Sequence, residues 1–155
     1  MPQGSAIVNA YIEFVCDETK DGSLPVSLII QAELNPDAPA FATTTNNLSN
    51  RPVTNATAVW EPVPWTAADQ IDQTSDISTV IEEIVNLPGW SGNGTIVLML
   101  RDNPDNPSAG IRCAEAYNGE AESAALLHIE WEPSTKAKAP IPAPLTTDVV
   151  RDTIL

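Results

Sequence analysis

Aromatic rings in this chain are few and unevenly chosen, with 4 Trp against 2 Tyr and 2 Phe. An indole offers a broad apolar face that can lie against the C–H face of a sugar ring while neighbouring amides and carboxylates bond the sugar hydroxyls. Trp65 follows Pro64 and Trp90 follows Gly89, in segments that read as loops. With Tyr117 they are the candidate carbohydrate-binding residues, although packing into a core is an equally open reading for the two tryptophans. Trp60 and Trp131 end alternating apolar runs and are expected to fill the core.

Carboxylates and amides form the second group. Asp102-Asn103-Pro104-Asp105-Asn106 sets the oxygens of Asp102, Asn103, Asp105 and Asn106 within one short loop, and Asp69, Asp72 and Asp76 make a looser set. Oxygen-rich loops bind hard cations, so Ca²⁺ is the cofactor such a loop would take. The spacing is not that of an EF-hand, and plain turn chemistry is the simpler account. Otherwise the sequence implies no cofactor.

Two cysteines, Cys16 and Cys113, fall on the apolar faces of expected strands, where they could meet across the core as a disulfide or remain buried thiols. Neither has the CxxC partner that zinc or redox chemistry requires. The single histidine, His128, lies between Leu127 and Ile129, with Glu130 and Glu132 on its strand face and Glu13 or Glu33 as conceivable neighbours. Nothing in that spacing recommends a two-carboxylate glycosidase over a solvated sheet surface. Gly89-Trp90-Ser91-Gly92 lacks the last glycine of a nucleophile elbow. The chain reads as noncatalytic.

The elements that must hold these residues are mostly strands, since 14 Pro and 7 Gly interrupt the chain too often for long helices. Ala10, Ile12, Phe14 and Cys16 alternate with polar neighbours, and so do Val26, Leu28, Ile30, Ala32 and Leu34; these two strands either form a hairpin or face each other across a core. Residues 35–52 carry no period and read as a long surface connection. Further strands are expected through Thr54–Trp60, Ile96–Leu100, Ile111–Tyr117 and Leu127–Trp131. Ile77, Val80, Ile81, Ile84 and Val85 form one helical stripe, predicting a short amphipathic helix over about 76–87, capped by Ser75 or Asp76, with Glu82 and Glu83 in solvent. The domain then covers 1–133, a Pro/Ala-rich linker 134–145, and a strand-like tail 146–155.

Charge narrows the partners. With 21 Asp plus Glu against 7 Lys plus Arg, the net charge is −14, and a nucleic-acid partner is excluded by repulsion from phosphate. No apolar run approaches the roughly 20 residues of a membrane-spanning helix, and Met1-Pro2-Gln3-Gly4 has neither the basic nor the apolar region of a signal peptide.

The ordered set Trp60-Glu61-Pro62-Val63-Pro64-Trp65, Asp72–Ser78, Ile81–Asn86, Pro88-Gly89-Trp90, Arg112–Tyr117 and Leu126–Trp131 resembles a module repeated in large secreted proteins of environmental bacteria. This is the DNRLRE-type, carbohydrate-binding-module-like β-sandwich group, and the resemblance covers residues 2–132. It implies a mainly β, jelly-roll-like antiparallel β-sandwich, extracellular or at the cell surface, noncatalytic and tethered beside other domains. An exported module would also favour the disulfide. Two departures stand out: members of the group carry a further strand before the equivalent of Pro2-Gln3-Gly4, and they stop near the equivalent of Trp131. A sandwich short of an edge strand exposes an apolar slot, which the tail, through Val149, Val150, Ile154 and Leu155, could fill in its own chain or in a neighbour. The expected partners are therefore copies of itself, in a filament, or an extracellular polysaccharide.

Overall fold

The computed structural model describes residues 1–134. Apart from Ser134, the expected linker 134–145 lies outside the described residues, as does the tail 146–155 with Val149, Val150, Ile154 and Leu155. The described elements run, in chain order, β1 (Ala6–Glu18), β2 (Leu28–Ala32), β3 (Ala58–Trp60), β4 (Ile71–Gln73), α1 (Ser78–Val85), β5 (Leu98–Asp102), β6 (Cys113–Ala114) and β7 (Leu126–Glu132). They make a mainly β protein of two antiparallel sheets with one short helix, a β-sandwich.

The long β1 is the centre of the first sheet. Its even-numbered residues Ala10, Ile12 and Cys16 point into the core, as the alternation requires. One side of β1 pairs with β4, Glu13 opposite Gln73. Its other side pairs with β7 from Ala6 to Glu13 and then with β6 at Cys16 and Glu18. The second sheet has the order β3-β2-β5, with Ile30 opposite both Ala58 and Leu100. Thus β1 and β2 do not form a hairpin; they belong to different sheets.

Helix α1 closes one flank. Ile77, Val80, Ile81, Ile84 and Val85 are all fully buried, each worth about 1.5–3 kcal/mol of transfer free energy. The helix starts later and ends earlier than its apolar stripe suggested, because the residues before it are spent on the sheet: the Ile77 N–H bonds the Ala10 carbonyl at 2.8 Å. Asp76 accepts the N–H of Ser78 at 2.8 Å and the N–H of Ala10 at 3.2 Å, tying the helix start to β1. At the other end Glu83, expected in solvent, accepts the N–H groups of Asn55 and Ala56 just before β3. Two carboxylates thus button the helix to both sheets.

Strand β4 escaped the sequence reading, which placed no strand between Trp60 and the helix. Trp131 departs too: it is 41% exposed, on β7, which among the described residues pairs with β1 alone and is an edge strand.

Candidate functional site

The two candidate loop tryptophans are anchors, not platforms. Trp65 is 1% exposed and its Nε1–H donates to Asp72 at 3.0 Å. Its backbone N–H bonds the Gly22 carbonyl, and a Cβ on Gly22 would stand 2.1 Å from the Trp65 carbonyl oxygen, so only glycine admits this strap. Trp90 is 6% exposed and donates from Nε1 to the Met1 carbonyl, holding the start of the chain. Both rings are therefore unavailable for sugar stacking: they satisfy their one polar atom inside and bury the rest, as tryptophan does in a core. Tyr117 is exposed, but it stands in a turn after β6 with neither tryptophan beside it on the surface.

Two side-chain oxygens of the Asp/Asn loop, those of Asp102 and Asn103, accept bonds from the loop's own backbone. The Ser108 hydroxyl and its N–H, which Asp102 accepts at 3.0 Å, hold the Asp102 carboxyl below the usual range against partial desolvation. Asn103 is buried, gives its side-chain N–H to Ser27 Oγ and accepts the Asp105 N–H. Asn106 donates to Glu61. Asp69 and Asp72 serve a turn and the Trp65 indole. Among the described residues no three His, Cys, Asp or Glu side chains gather as a metal-ligand group.

Cys16 and Cys113 are brought together, but along a sheet instead of across the core. Cys16 lies opposite Ala114 and Cys113 opposite Glu18, with a register shift between, which makes the two cysteines diagonal neighbours; both thiols are free. Burial pushes the Cys16 thiol up, with Cys113, Asp17 and Asp69 adding to the rise and Arg112 opposing it. Arg112 itself donates to the carbonyls of Val63, Leu24, Ile111 and Pro62, so its guanidinium is a clamp on three loops.

His128 and its conceivable carboxylates do not assemble. The imidazole stacks on Tyr11 at 4.6 Å between centroids, Glu13 accepts from Gln73, and Glu33 is buried in the second sheet beside Arg51.

What the fold does create is an open flank, opposite the one that α1 closes. Among the described residues β5 pairs with β2 alone and β7 with β1 alone, so both present an unpaired edge on this side. The Glu33 N–H to Val97 carbonyl bond sets the phase of the β2–β5 ladder, which directs the backbone groups of Leu98 and Leu100 away from β2. Between the edges lies an apolar slot of about 320 Å³, lined by Ile12 and Phe14 of β1, Leu98 and Leu100 of β5, Leu127 of β7, and Ile96 and Ala125. Sequence reasoning placed Ile12 and Phe14 on an apolar strand face and gave Ile96, Leu98, Leu100 and Leu127 an alternating period, but did not place Ala125. An exposed apolar slot was expected from the missing edge strand, but its place between β5 and β7 was not, because that depends on where α1 goes.

Comparison with family models, with curated proteins and with solved structures finds no match to this chain. Among the described residues no helix is long and apolar enough to cross a membrane.

Proposed function

We propose that this chain is a noncatalytic structural module, extracellular or at the cell surface, that assembles with copies of itself by donating residues 146–155 to the open flank of the next subunit. The observation that carries this reading is the apolar slot between the unpaired edges of β5 and β7. A strand laid there would pair with backbone groups at an edge and insert alternate side chains between the sheets, which is recognition by strand addition. Val149, Val150, Ile154 and Leu155 supply apolar side chains of the right kind. Pro140, Pro142 and Pro144 favour an extended connection of about 3.1 Å per residue, which carries the tail outward to a neighbour. Each subunit then offers one slot and one tail, and a head-to-tail contact propagates into a filament.

The test is complementation. The full chain should sediment as a concentration-dependent ladder and appear as polymers in negative stain, whereas Leu98→Arg in the slot and Ile154→Asp in the tail should each be monomeric alone. Mixed in equal amounts, the two variants retain one good tail and one good slot and should form 1:1 dimers. A full chain that stays monomeric at high concentration, together with a deletion of 140–155 that unfolds, would mean that the tail completes its own sandwich, and the reading would fall.

A further inference from the structure

Residues 38–52 form an irregular loop that lacks regular structure yet is pinned from beneath by a buried ion pair. Arg51 and Glu33 have side chains only 7% and 4% exposed and face each other directly. The Arg51 guanidinium also donates to the carbonyls of Pro39, Ala40 and Asn47 and to Asn47 Oδ1. Asn47 Oδ1 in turn accepts the Ala42 N–H at 3.0 Å. A buried ion pair is seldom the most stable way to fill a core, and its consequence here is positional: five bonds hold the loop in one shape.

That shape presents a ring. Phe41 is 60% exposed, and the Arg51 guanidinium lies over it 4.3 Å from the centroid, which fixes the ring plane and leaves the other face to solvent. Beside it opens a cup of about 520 Å³ lined by Phe41, Thr44, Asn46, Asn47, Leu48 and Ser49, adjoining a second of about 330 Å³ that adds Thr45 and Asn50. Both are wide open to solvent, so a ligand there would be held from one side. The side chains of Thr44, Thr45, Asn46 and Asn50 make no hydrogen bond within the described chain, so their hydroxyls and amides are free to bond a ligand. Charge decides the ligand class. On a molecule of net charge −14, residues 38–52 carry a single charged side chain, Arg51, and Glu33 neutralises it.

We propose that the cup formed by Phe41, Thr44, Thr45, Asn46 and Asn50 is a binding site for a neutral glycan. The open Phe41 face would take the C–H face of a sugar ring, and the amides and hydroxyls around it would bond the ring hydroxyls. The site is independent of the assembly slot and involves none of its residues. Electrophoresis of the full chain through gels cast with neutral polysaccharides (mixed-linkage β-glucan, xylan, galactomannan) tests it, with alginate and polygalacturonate as polyanionic controls. Retardation is expected in at least one neutral gel and in neither polyanion. Phe41→Ala and Asn50→Ala should each weaken it at least tenfold, Phe41→Trp should retain it, and the slot variant Leu98→Arg should leave it unchanged. Because Phe41→Ala also removes the cation–π contact, Asn50→Ala, which leaves the Arg51 bonds intact, is the variant that separates binding from loop collapse. Free migration in every neutral gel, or equal retardation of Asn50→Ala and the unaltered chain, would overturn the proposal.

Discussion

The two flanks of the sandwich are built from the same kinds of residue and end differently. On the flank of β3 and β4, α1 lies across the gap, and its four stripe residues together with Ile77 just before it are fully buried. On the flank of β5 and β7 the inner-face residues Leu98, Leu127 and Ile129 are half-buried, and Leu100 and Trp131 are exposed. An apolar inner face therefore records only that a side chain points between the sheets. Whether it stabilises the fold or waits for a partner depends on which element arrives to cover it.

The largest expected effect separates the flanks directly. Ile81→Ala removes a fully buried side chain from the closed flank and should cost about 3–4 kcal/mol, with the residual cavity adding to the transfer loss. Leu100→Ala on the open flank, where the side chain is already partly in water, should cost about 1 kcal/mol or less. Urea denaturation of both variants measures the difference, and equal losses would mean that the open flank is as covered as the other.

A smaller effect probes how the helix is fastened. Glu83 accepts two backbone N–H groups at the approach to β3, and its replacement by Ala removes the carboxylate from both, the part-buried Ala56 N–H and the exposed Asn55 N–H. The loss should be about 2 kcal/mol, as for charge-assisted hydrogen bonds. Glu83→Gln, which keeps an acceptor oxygen, should recover part of it. If both variants unfold at the same denaturant concentration as the unaltered chain, Glu83 does not fasten the helix.

That flank also shows how far the sequence could be read. The stripe of Ile77, Val80, Ile81, Ile84 and Val85 was legible because a period of 3.6 is a local property. Strand β4 was not, because Ile71-Asp72-Gln73 is too short to show alternation and becomes a strand only by pairing with β1. Trp65 and Trp90 read as loop residues open to either binding or packing since Pro and Gly flank them, yet those same residues let the chain turn inward and deliver an indole to the core. The Phe41 cup was invisible for a different reason. Its organising contact joins Arg51 to Glu33 across two elements, and the loop composition alone reads as surface. Local pattern exposes what an element is, whereas sites here arise from contacts between residues far apart in the chain.

Asp76 fastens the start of the helix, and its ionisation carries a sign. Burial pushes its carboxyl up, but the Ser78 N–H and hydroxyl and the Ala10 N–H together outweigh that and hold it below the usual range. A carboxyl lowered in the folded state contributes stability above its unfolded pKa and loses it as the pH falls through the folded value. The N-cap position is Ile77 and not the expected Ser75 or Asp76, so Asp76→Ala should cost about 1 kcal/mol at neutral pH, as for a lost hydrogen-bonded carboxylate, and the gap to the unaltered chain should close in acid. A gap independent of pH would assign the loss to packing.

The smallest effect has the opposite sign and belongs to the other flank. Glu115 follows β6, where its N–H bonds the Val15 carbonyl, and partial desolvation pushes its carboxyl up, with Asp17, Glu120 and Asp69 adding repulsion. A carboxyl raised in the folded state favours folding below its unfolded pKa, and that advantage disappears as the pH rises through the folded value. At neutral pH Glu115 is thus a charge held among like charges. Glu115→Gln should raise the midpoint of thermal unfolding slightly at pH 7 and leave it unchanged in acid, where the unaltered side chain is already neutral. Carboxylates on the closed flank are placed to receive hydrogen bonds, whereas those beside β6 crowd together, the pattern of an edge kept charged against indiscriminate pairing. A lower midpoint for Glu115→Gln at pH 7 would show instead that this edge is held by its charge.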